Sequence, residues 1–525
     1  MHQSSDNNGS RRFFVDLLLN YDRHFGLNNV GANVKYTYDS FTTTQNIGDD
    51  IKNSVAKKNL SFAGQLLYNY DYRYFADVNF GYNGSENFAD NHRWGFFPAF
   101  SVGWALSREK FMERASEWLN QLKFRYSWGK VGNDAMDVRF PYLYTIDYSG
   151  DNVYNFGTIQ APTIGNWQHG MHYTALASNN VTWEVSTKQD VGVDISVFND
   201  RFSLTADYFH EKRTGIYMLR NFMPGSLGLE SSPWANVGAV KSEGVDGNFR
   251  YTDKFGDWTL TVRGNMTYSK NTILDYDIEN VTYPYQLHTG YRVGQIYGLV
   301  AEGLFADYDD IRSHPQQQFG EVMPGDIKYK DVNGDGVVNN DDQVAIGSTD
   351  HPNLIYGFGA SAQWRGFDLN VLFQGAGKQT VMLNGKSVWA FSQDRYGQIL
   401  GDLVADRWVD KETAAQLGIP ANENPDASYP RLVYLQGYAE HNNYRASSYW
   451  ARSMSYLRLK NLEFGYSLPQ NVLESLRMAS ARFYFQATNL LTFSNFKLWD
   501  PEMGSTNGEA YPLTKAFTVG LTVSF

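Results

Sequence analysis

Apolar and polar side chains alternate along many segments of the chain. From Trp258 to Ser269 every second residue is apolar or glycine, and the residues between them are polar. Successive side chains of a β-strand point to opposite faces, so this period of two predicts a strand with one apolar and one polar face. The pattern recurs elsewhere, and the sequence therefore predicts an all-β fold with strands at residues 74–83, 191–197, 201–208, 356–364, 367–373 and 517–525.

The length of these segments separates two kinds of β protein. A strand that crosses a bilayer at a tilt needs roughly 9 to 11 residues, whereas strands of soluble sandwiches usually have about 5 or 6. The segment Trp258–Ser269 meets the longer requirement. The pattern therefore favours membrane-crossing strands, and ordinary packing in a soluble β core is the alternative.

The connections between predicted strands are of two lengths. Asn199-Asp200, Arg365-Gly366 and Asp71-Tyr72-Arg73 form short turns typical of β-hairpins. Short periplasmic turns with long extracellular loops are typical of outer-membrane barrels, so we predict a large antiparallel transmembrane β-barrel. Its long polar loops would comprise residues 132–182, 271–294, 303–353, 377–448 and 491–514, and two short helices are expected at Glu109–Gln121 and Gln470–Met478.

Composition narrows the function classes. The net charge of -11 and the lack of a Lys/Arg cluster argue against nucleic acid as a partner, because phosphate binding needs a basic surface. Without cysteine the chain has no disulfide scaffold, thiolate metal site or cysteine nucleophile. It also has no H-E-x-x-H zinc motif and no P-loop, so we expect a protein that is not an enzyme.

One segment has the spacing of a calcium-binding loop. Residues 331–342, Asp-Val-Asn-Gly-Asp-Gly-Val-Val-Asn-Asn-Asp-Asp, follow the EF-hand or dockerin pattern of oxygen ligands. Closely spaced carboxylates repel one another without a cation, so the spacing predicts a structural calcium ion. A polar loop held by Asx turns is the alternative. The predicted ligands are Asp331, Asn333, Asp335, the carbonyl of Val337, Asn339 and Asp342.

Several motifs together resemble a known family. In order and spacing they are similar to the barrel of SusC/RagA-like TonB-dependent transporters, and the similarity runs along nearly the whole chain. The segments that carry it are Gly95-Phe96-Phe97-Pro98-Ala99-Phe100-Ser101-Val102-Gly103-Trp104, Leu122–Gly129 with Gly132-Asn133, Thr182-Trp183-Glu184, Val191-Gly192-Val193-Asp194, Asn236-Val237-Gly238 with Glu243-Gly244, Gly325–Asp331, and Asn489-Leu490.

The resemblance implies a function and partners. Members of that family look like barrels of about 22 strands that import oligosaccharides or peptides, with an N-terminal plug, a TonB box and a SusD-like surface lipoprotein. Residues 1–525 are thus interpreted as one outer-membrane barrel domain, incomplete at its N-terminus, with residues 331–342 as an insertion in an extracellular loop. The TonB complex would be reached through a segment this sequence lacks.

Two other functions remain open at this point. One is a passive porin or surface ligand-binding barrel, which needs neither TonB nor plug. The other is a soluble secreted β-rich glycan-binding module braced by calcium. Exposed tryptophans in the long loops, such as Trp167, Trp234 and Trp408, could stack on sugar rings, but packing is an equal explanation and no ligand-contacting residue is assigned.

Overall fold

The computed structural model describes residues 9–43, 55–136, 139–147, 153–155, 167–169, 172–220, 232–277, 281–391, 399–434 and 441–525. The chain divides into two compact units, which are described separately. Unit 1 comprises Met1–Asp200, Leu204–Val245 and Asn271–Asn280, and unit 2 comprises Arg201–Ser203, Asp246–Lys270 and Val281–Phe525. Long antiparallel strands of a fifteen-stranded sheet dominate both units.

In unit 1 the strands of the sheet lie next to one another in chain order. Its sheet strands are adjacent in the order β1-β2-β3-β4-β5-β6-β11-β12-β13, and two short pairs, β7 with β10 and β8 with β9, lie outside the sheet. The bounds are β1 Ser10–Phe25, β2 Asn28–Thr43, β3 Lys57–Tyr70, β4 Tyr74–Ser85, β5 Trp94–Ala105, β6 Leu119–Asn133, β7 Thr145–Asp147, β8 Val153–Asn155, β9 Trp167–His169, β10 His172–Ala175, β11 Glu184–Val197, β12 Phe202–Leu219 and β13 Trp234–Phe255.

In unit 2 the sheet continues in the order β13-β14-β21-β22-β25-β26-β27, and the remaining strands form short pairs within the connections. The bounds are β14 Trp258–Tyr276, β15 Gln295–Gly298, β16 Ala301–Leu304, β17 Gln316–Gln317, β18 Ile327–Tyr329, β19 Val337–Val338, β20 Val344–Thr349, β21 Leu354–Trp364, β22 Phe367–Gly377, β23 Thr380–Met382, β24 Ala451–Ser453, β25 Tyr456–Ser467, β26 Ser480–Ser494 and β27 Ala516–Ser524.

One face of the sheet is apolar and open. Cross-strand partners form continuous apolar rows, because in-register pairing places like positions side by side. In unit 1 one row is Leu17, Tyr36, Phe62, Tyr82 and Phe96. In unit 2 another row is Leu260, Ala362, Leu369, Phe464, Phe485 and Val519. Leu17 is 61% exposed and Val519 is 83% exposed, so the predicted alternation is confirmed and its apolar side lies outside any protein core.

The opposite face is polar and hydrogen-bonded. The adjacent row of unit 2 is Thr261, Ser361, Asn370, Glu463, Gln486 and Thr518. In unit 1 the Asn33 amide donates to Gln65 (3.0 Å), and Gln65 donates in turn to Asp77 (3.2 Å). Such ladders satisfy polar groups strand by strand, which leaves this face suited to water.

The two predicted lengths of connection are found at opposite ends of the strands. The turn between β21 and β22 consists of Arg365 and Gly366, both with positive φ (45° and 89°), as a two-residue hairpin requires. A Cβ on Gly366 would lie 2.7 Å from the carbonyl oxygen of Ser467, so only glycine fits there. At the other end, the connections from β14 to β21 and from β22 to β25 occupy residues 277–353 and 378–455.

The two predicted helices differ in outcome. The helix expected at Glu109–Gln121 is wrong in type and length, because 3-10 turns cover Leu106–Arg108 and Lys110–Ala115 and β6 already begins at Leu119. The second is confirmed as α4, Gln470–Leu476. The described parts of the connections in unit 2 contain three further short helices: α1 Tyr308–Ser313, α2 Gly401–Ala405 and α3 Lys411–Leu417. Among the described residues, none of the helices combines the length and the apolar character needed to cross a bilayer.

The large buried cluster of unit 2 is built by its connections rather than by its sheet. We call the described parts of residues 281–353, 378–455 and 495–514 the loop assembly, and its buried apolar cluster the loop core. All members of this cluster come from those connections: Leu299, Leu304, Phe319, Ile327, Tyr329, Val338, Val381, Leu383, Val388, Ala390, Leu403, Trp408, Ala427, Tyr429, Trp450, Met454 and Phe496. The loops therefore fold as a soluble domain does.

Unit 1 has a smaller cluster that joins three of the sequence motifs. Phe88, Phe97, Val181 and Trp183 are buried together. The rings of Phe97 and Trp183 lie 5.2 Å apart, and the Trp183 indole donates to the Arg93 carbonyl (3.1 Å). A Cβ on Gly132 would lie 1.9 Å from the Phe97 ring. The glycines and aromatics of these motifs thus form one packing site.

Candidate functional site

The loop predicted to hold calcium is closed by its own backbone. Asp331 accepts hydrogen bonds from the amides of Gly334 (2.7 Å) and Gly336 (2.9 Å). Asn333 accepts from the amide of Asp335 (3.0 Å), and Asp335 accepts from that of Val337 (2.8 Å). These are Asx turns, the arrangement of the alternative interpretation. Each accepting oxygen retains a second lone pair, so the turns do not use up its capacity to coordinate a cation.

The twelfth position of this loop differs from the others because Asp342 is fully buried, with 0% exposure. Its Oδ1 accepts from the amide of Val332 (2.8 Å) and its Oδ2 from that of Asn339 (2.8 Å). Asn339 caps the following 3-10 turn by accepting from the amide of Asp341 (2.6 Å). Asp342 thus ties the end of the loop to its beginning without a cation.

Two tyrosines support the loop from a neighbouring segment. The rings of Tyr283 and Tyr285 are stacked 5.3 Å apart, Asn333 donates to the Tyr283 hydroxyl (3.1 Å), and Tyr285 donates to the Asp341 carbonyl (2.8 Å). Burial and the nearby carboxylates raise the pKa of Tyr285 to about 12. Within the part of the chain that the structure describes, no group of three or more acidic or histidine side chains is placed to hold a metal. The residues fit calcium through single oxygens, not through a converged carboxylate cluster.

The motif Gly325–Asp331 forms the polar centre of the loop core, a role that its sequence did not reveal. Asp326 is fully buried and pairs with Arg431, with 2.7 Å from Nε to Oδ1 and 3.0 Å from Nη2 to Oδ2. Its Oδ1 also accepts from the Asn443 amide group (2.8 Å), and Asn443 accepts from the backbone of Ile327 (2.9 Å). A buried charge is stable only when paired and hydrogen-bonded, and Asp326 has both.

A second branch of this hydrogen-bond network consists of buried side-chain amides. Gln317 donates to the Ile327 carbonyl (3.0 Å) and accepts from the Tyr329 amide (2.6 Å). Asn442 donates to the Ile327 carbonyl (2.7 Å), and the Tyr329 hydroxyl donates to the Asn442 carbonyl (2.8 Å). Burial raises the pKa of Tyr329 above its ordinary value. The alternation Ile327-Lys328-Tyr329 was a detectable signal of a strand, but its partners more than 100 residues away gave none.

Where the structure describes them, the tryptophans considered for sugar stacking are packed against other side chains. Trp408 is 5% exposed and its ring would collide with any Cβ on Gly325 (2.2 Å). Trp234 is stacked on Tyr217, with ring centroids 4.8 Å apart and planes inclined by 13°. The side chain of Trp167 lies outside the described residues. Packing is thus the observed role of Trp234 and Trp408.

The polar face of the strands holds two similar ion-pair groups. In unit 1 Arg125 bridges Asp194 (2.9 Å) and Asp207 (2.8 Å), and a Cβ on Gly192 would lie 2.1 Å from Asp207. In unit 2 Arg482 likewise bridges Asp368 and Glu463, both at 2.5 Å, beside Gly465. Glycine leaves room for the planar guanidinium, which binds carboxylates at fixed geometry. These charges are satisfied within the sheet.

Comparison with known proteins gives a consistent result. A family model described as "TonB dependent receptor-like, beta-barrel" matches residues 2–490. Among curated relatives, TonB-dependent receptor P3 of Formosa agariphila is 25% identical over 97% of this chain and 52% of its own length. TonB-dependent receptor SusC of Bacteroides thetaiotaomicron is 23% identical over 89% of this chain and 44% of its own. The chain therefore spans about half the length of these relatives.

Solved structures agree on the fold. The structure of the RagAB peptide transporter superposes on this chain with a TM-score of 0.71 and 19% identity, over 99% of this chain and 56% of that one. The RagAB peptide importer in its open-open state gives a TM-score of 0.71 and 18% identity. At this identity the likeness concerns the strands and their order.

Proposed function

This chain belongs to the TonB-dependent receptor-like β-barrel family and to the bacterial outer membrane, and from that premise we propose that it is the barrel part of an importer of large nutrients. The family comprises transport proteins, not enzymes. The observation that carries the proposal is the two-faced sheet: its open apolar rows need lipid, and its opposite face is polar and paired. A secreted soluble module would have to cover those apolar rows with protein.

The cargo and the partners are inferred from the family resemblance and from one solved relative. This chain is similar to SusC and to RagAB, which is described as a peptide transporter. We propose that it handles peptides or, as the resemblance to SusC/RagA-like transporters implies, oligosaccharides, together with a SusD-like lipoprotein. Energy would come from the TonB complex. The loop core supports this proposal, because a rigid folded loop assembly can present a defined surface to a lipoprotein and to cargo.

Uptake by cells carrying the whole gene tests the proposal against the passive alternative. Cells would be supplied with fluorescent maltoheptaose or with a fluorescent mixed peptide digest, with and without an uncoupler of the proton motive force. We expect one of the two cargos to enter only in energised cells, and deletion of the gene to abolish that entry. Uptake that continues unchanged with the uncoupler would indicate a passive porin instead.

We also propose that residues 331–342 bind one calcium ion. The support is the ligand spacing and the remaining lone pairs of Asp331, Asn333 and Asp335, all of them at the loop surface. Calcium titration of the purified chain, followed by calorimetry and by protease cleavage within the loop, should show saturable binding. Asp335→Ala should weaken that binding at least tenfold, because it removes one charged ligand of about 6 to 8.

A matched control separates binding from folding of the loop. Asp309→Ala removes an exposed carboxylate of α1 that lies outside residues 331–342, and it should leave calcium binding unchanged. A wild-type chain whose cleavage pattern and heat signal do not respond to calcium would end the calcium proposal and would leave the Asx turns as the whole account of the loop.

A further inference from the structure

A cavity in the loop assembly is lined by two cations without carboxylate partners. Its volume is about 460 Å3, and Arg452 and Lys497 both lie in its wall. Neither forms an ion pair with any carboxylate among the described residues. The other lining residues are Asp402, Ala405, Asp406, Ser428, Tyr429, Ser453, Asn495, Phe496 and Leu498.

Arg452 uses only part of its hydrogen-bonding capacity. Its Nη1 donates to the carbonyl oxygens of Tyr449 and Ala451 (3.1 Å for Ala451). Its Nε and Nη2 have no hydrogen-bond partner among the described residues. Neither of these two atoms is fully buried. A guanidinium carries five N–H donors in a planar fork. The donors held by Nε and Nη2 therefore remain available to a ligand in the cavity.

The surroundings of Arg452 make its lack of a counter-ion costly. The adjoining side chains Tyr429 and Phe496 are buried, and burial lowers the pKa of Arg452 below its ordinary value. A partly buried cation gains most from an anion that accepts two parallel hydrogen bonds, which is the geometry of a carboxylate. Arg431 of the loop core differs, because it is already paired with buried Asp326.

Among the described residues, the two carboxylates in the same wall form no ion pair with this cation. Asp406 accepts from the hydroxyl (2.5 Å) and the backbone amide (3.3 Å) of Ser428, and its other oxygen accepts from Asn422 (3.4 Å). Asp402 is exposed and forms no ion pair among the described residues. A ligand with an anionic end at Arg452 and hydrogen-bond donors at its other end would satisfy both sides of the cavity.

We propose that this cavity binds the carboxylate group of a small ligand, held by the Arg452 fork with Lys497 as the second cation. The carboxylate could belong to a peptide C-terminus or to a uronic acid, since both present the same planar anion. The biological meaning of the site rests on the proposed uptake function, but its existence does not, because binding can be measured on the purified chain alone.

Calorimetry with two matched pairs of probes tests the site. One pair is tri-alanine and tri-alanine amide, and the other is glucuronate and glucose, each titrated into the full chain in detergent. We expect the carboxylate-bearing member of one pair to bind at least tenfold more tightly than its neutral-ended match. Only the carboxylate can form a charge-assisted, hydrogen-bonded pair with Arg452. The pair that discriminates identifies the source of the carboxylate.

Variants assign the binding to Arg452. Arg452→Gln should remove the discrimination, and Arg452→Lys, which keeps the charge but not the fork, should retain only part of it. Arg312→Gln alters an exposed arginine of α1 outside the cavity and should change nothing. Equal binding of both members in both pairs, or discrimination that survives Arg452→Gln, would overturn the site while leaving the uptake proposal to its own experiment.

Discussion

The sheet strands and the loop assembly of unit 2 use apolar side chains in opposite ways. In the strands, apolar rows such as the one ending at Val519 are open, and the polar rows between them are paired. In the loop assembly, Ile327, Leu299 and Met454 are fully buried around a polar centre. Apolar side chains thus face outward in the strands, as they do in lipid, and are buried in the loop assembly, as they are in water.

This difference indicates that the apolar face of the strands is stable in lipid and that the loop assembly is stable in water. Burial of apolar area stabilises the loop core by roughly 25 cal/mol per Å2 in water, whereas the open rows gain nothing until lipid covers them. Perturbations should therefore separate the two regions: loss of volume should damage the loop core, and a charge on the apolar rows should damage the strands only in a bilayer.

The largest expected effect is loss of a loop-core tryptophan. Trp450 is 1% exposed and its indole donates to the Asn443 carbonyl (2.7 Å). Trp450→Ala should cost the loop assembly about 3–5 kcal/mol, because it leaves both a cavity and an unpaired carbonyl. Hydrogen exchange should rise throughout residues 441–455 and 323–329 while the strands stay protected.

Trp258, on the apolar face of the sheet, provides the matched control. The residue is 49% exposed, and its ring is stacked on that of Trp364 with centroids 5.4 Å apart. Trp258→Ala should cost about 0.5–1.5 kcal/mol, the value of one aromatic pair. Equal losses of stability for the two variants in detergent would contradict the division into two regions.

The next effect concerns the buried ion pair. Asp326→Asn leaves Arg431 facing a neutral group inside the loop core, and breaking a buried pair from one side costs about 3–5 kcal/mol. The asparagine retains an oxygen that can accept from Asn443 or Arg431, so the loss should fall at the lower end. Thermal unfolding followed by loop fluorescence measures it, and Asp309→Asn at the exposed pair with Arg312 should give no measurable change.

A charge placed at either of two adjacent residues of β26 tests which face of the sheet contacts lipid. Phe485 lies in an apolar row and Gln486 in the polar row beside Glu463. Phe485→Arg should cost about 2–4 kcal/mol if it lies near the middle of the bilayer, whereas Gln486→Arg should cost close to nothing. Refolding yield into lipid vesicles measures both, and a Gln486→Arg protein that inserts worse than Phe485→Arg would reverse the assignment of the faces.

The sequence predicted the strands well because their signal is local. The alternation of Trp258–Ser269 depends only on neighbours, and the observed strand extends it to Tyr276. The loop core was not predictable, because Asp326, Arg431 and Asn443 come together across more than 100 residues of chain. The helix expected near Glu109 was wrong for a related reason: pairing of Leu119 with Val197 draws the end of that segment into the sheet.

The smallest expected effect is a response of the loop core to acid, through His441. The histidine is buried beside Tyr444, and its Nδ1 accepts from the amide of Asn443 (3.0 Å). Burial lowers the pKa of His441 below 6.5, with Arg431 and Arg445 acting in the same direction and Asp326 opposing them.

An unfolded loop takes up a proton near pH 6.5 while the folded loop stays neutral. The contribution to stability is therefore complete above pH 6.5 and is lost as the pH falls towards the lower folded pKa. The protection of residues 441–450 against hydrogen exchange, corrected for the intrinsic exchange rate at each pH, should fall between pH 6.5 and 5, before that of the strands. His441→Asn keeps an acceptor for the Asn443 amide but cannot take up a proton, so it should flatten this response, and an unchanged pH profile in that variant would assign the acid sensitivity to other groups.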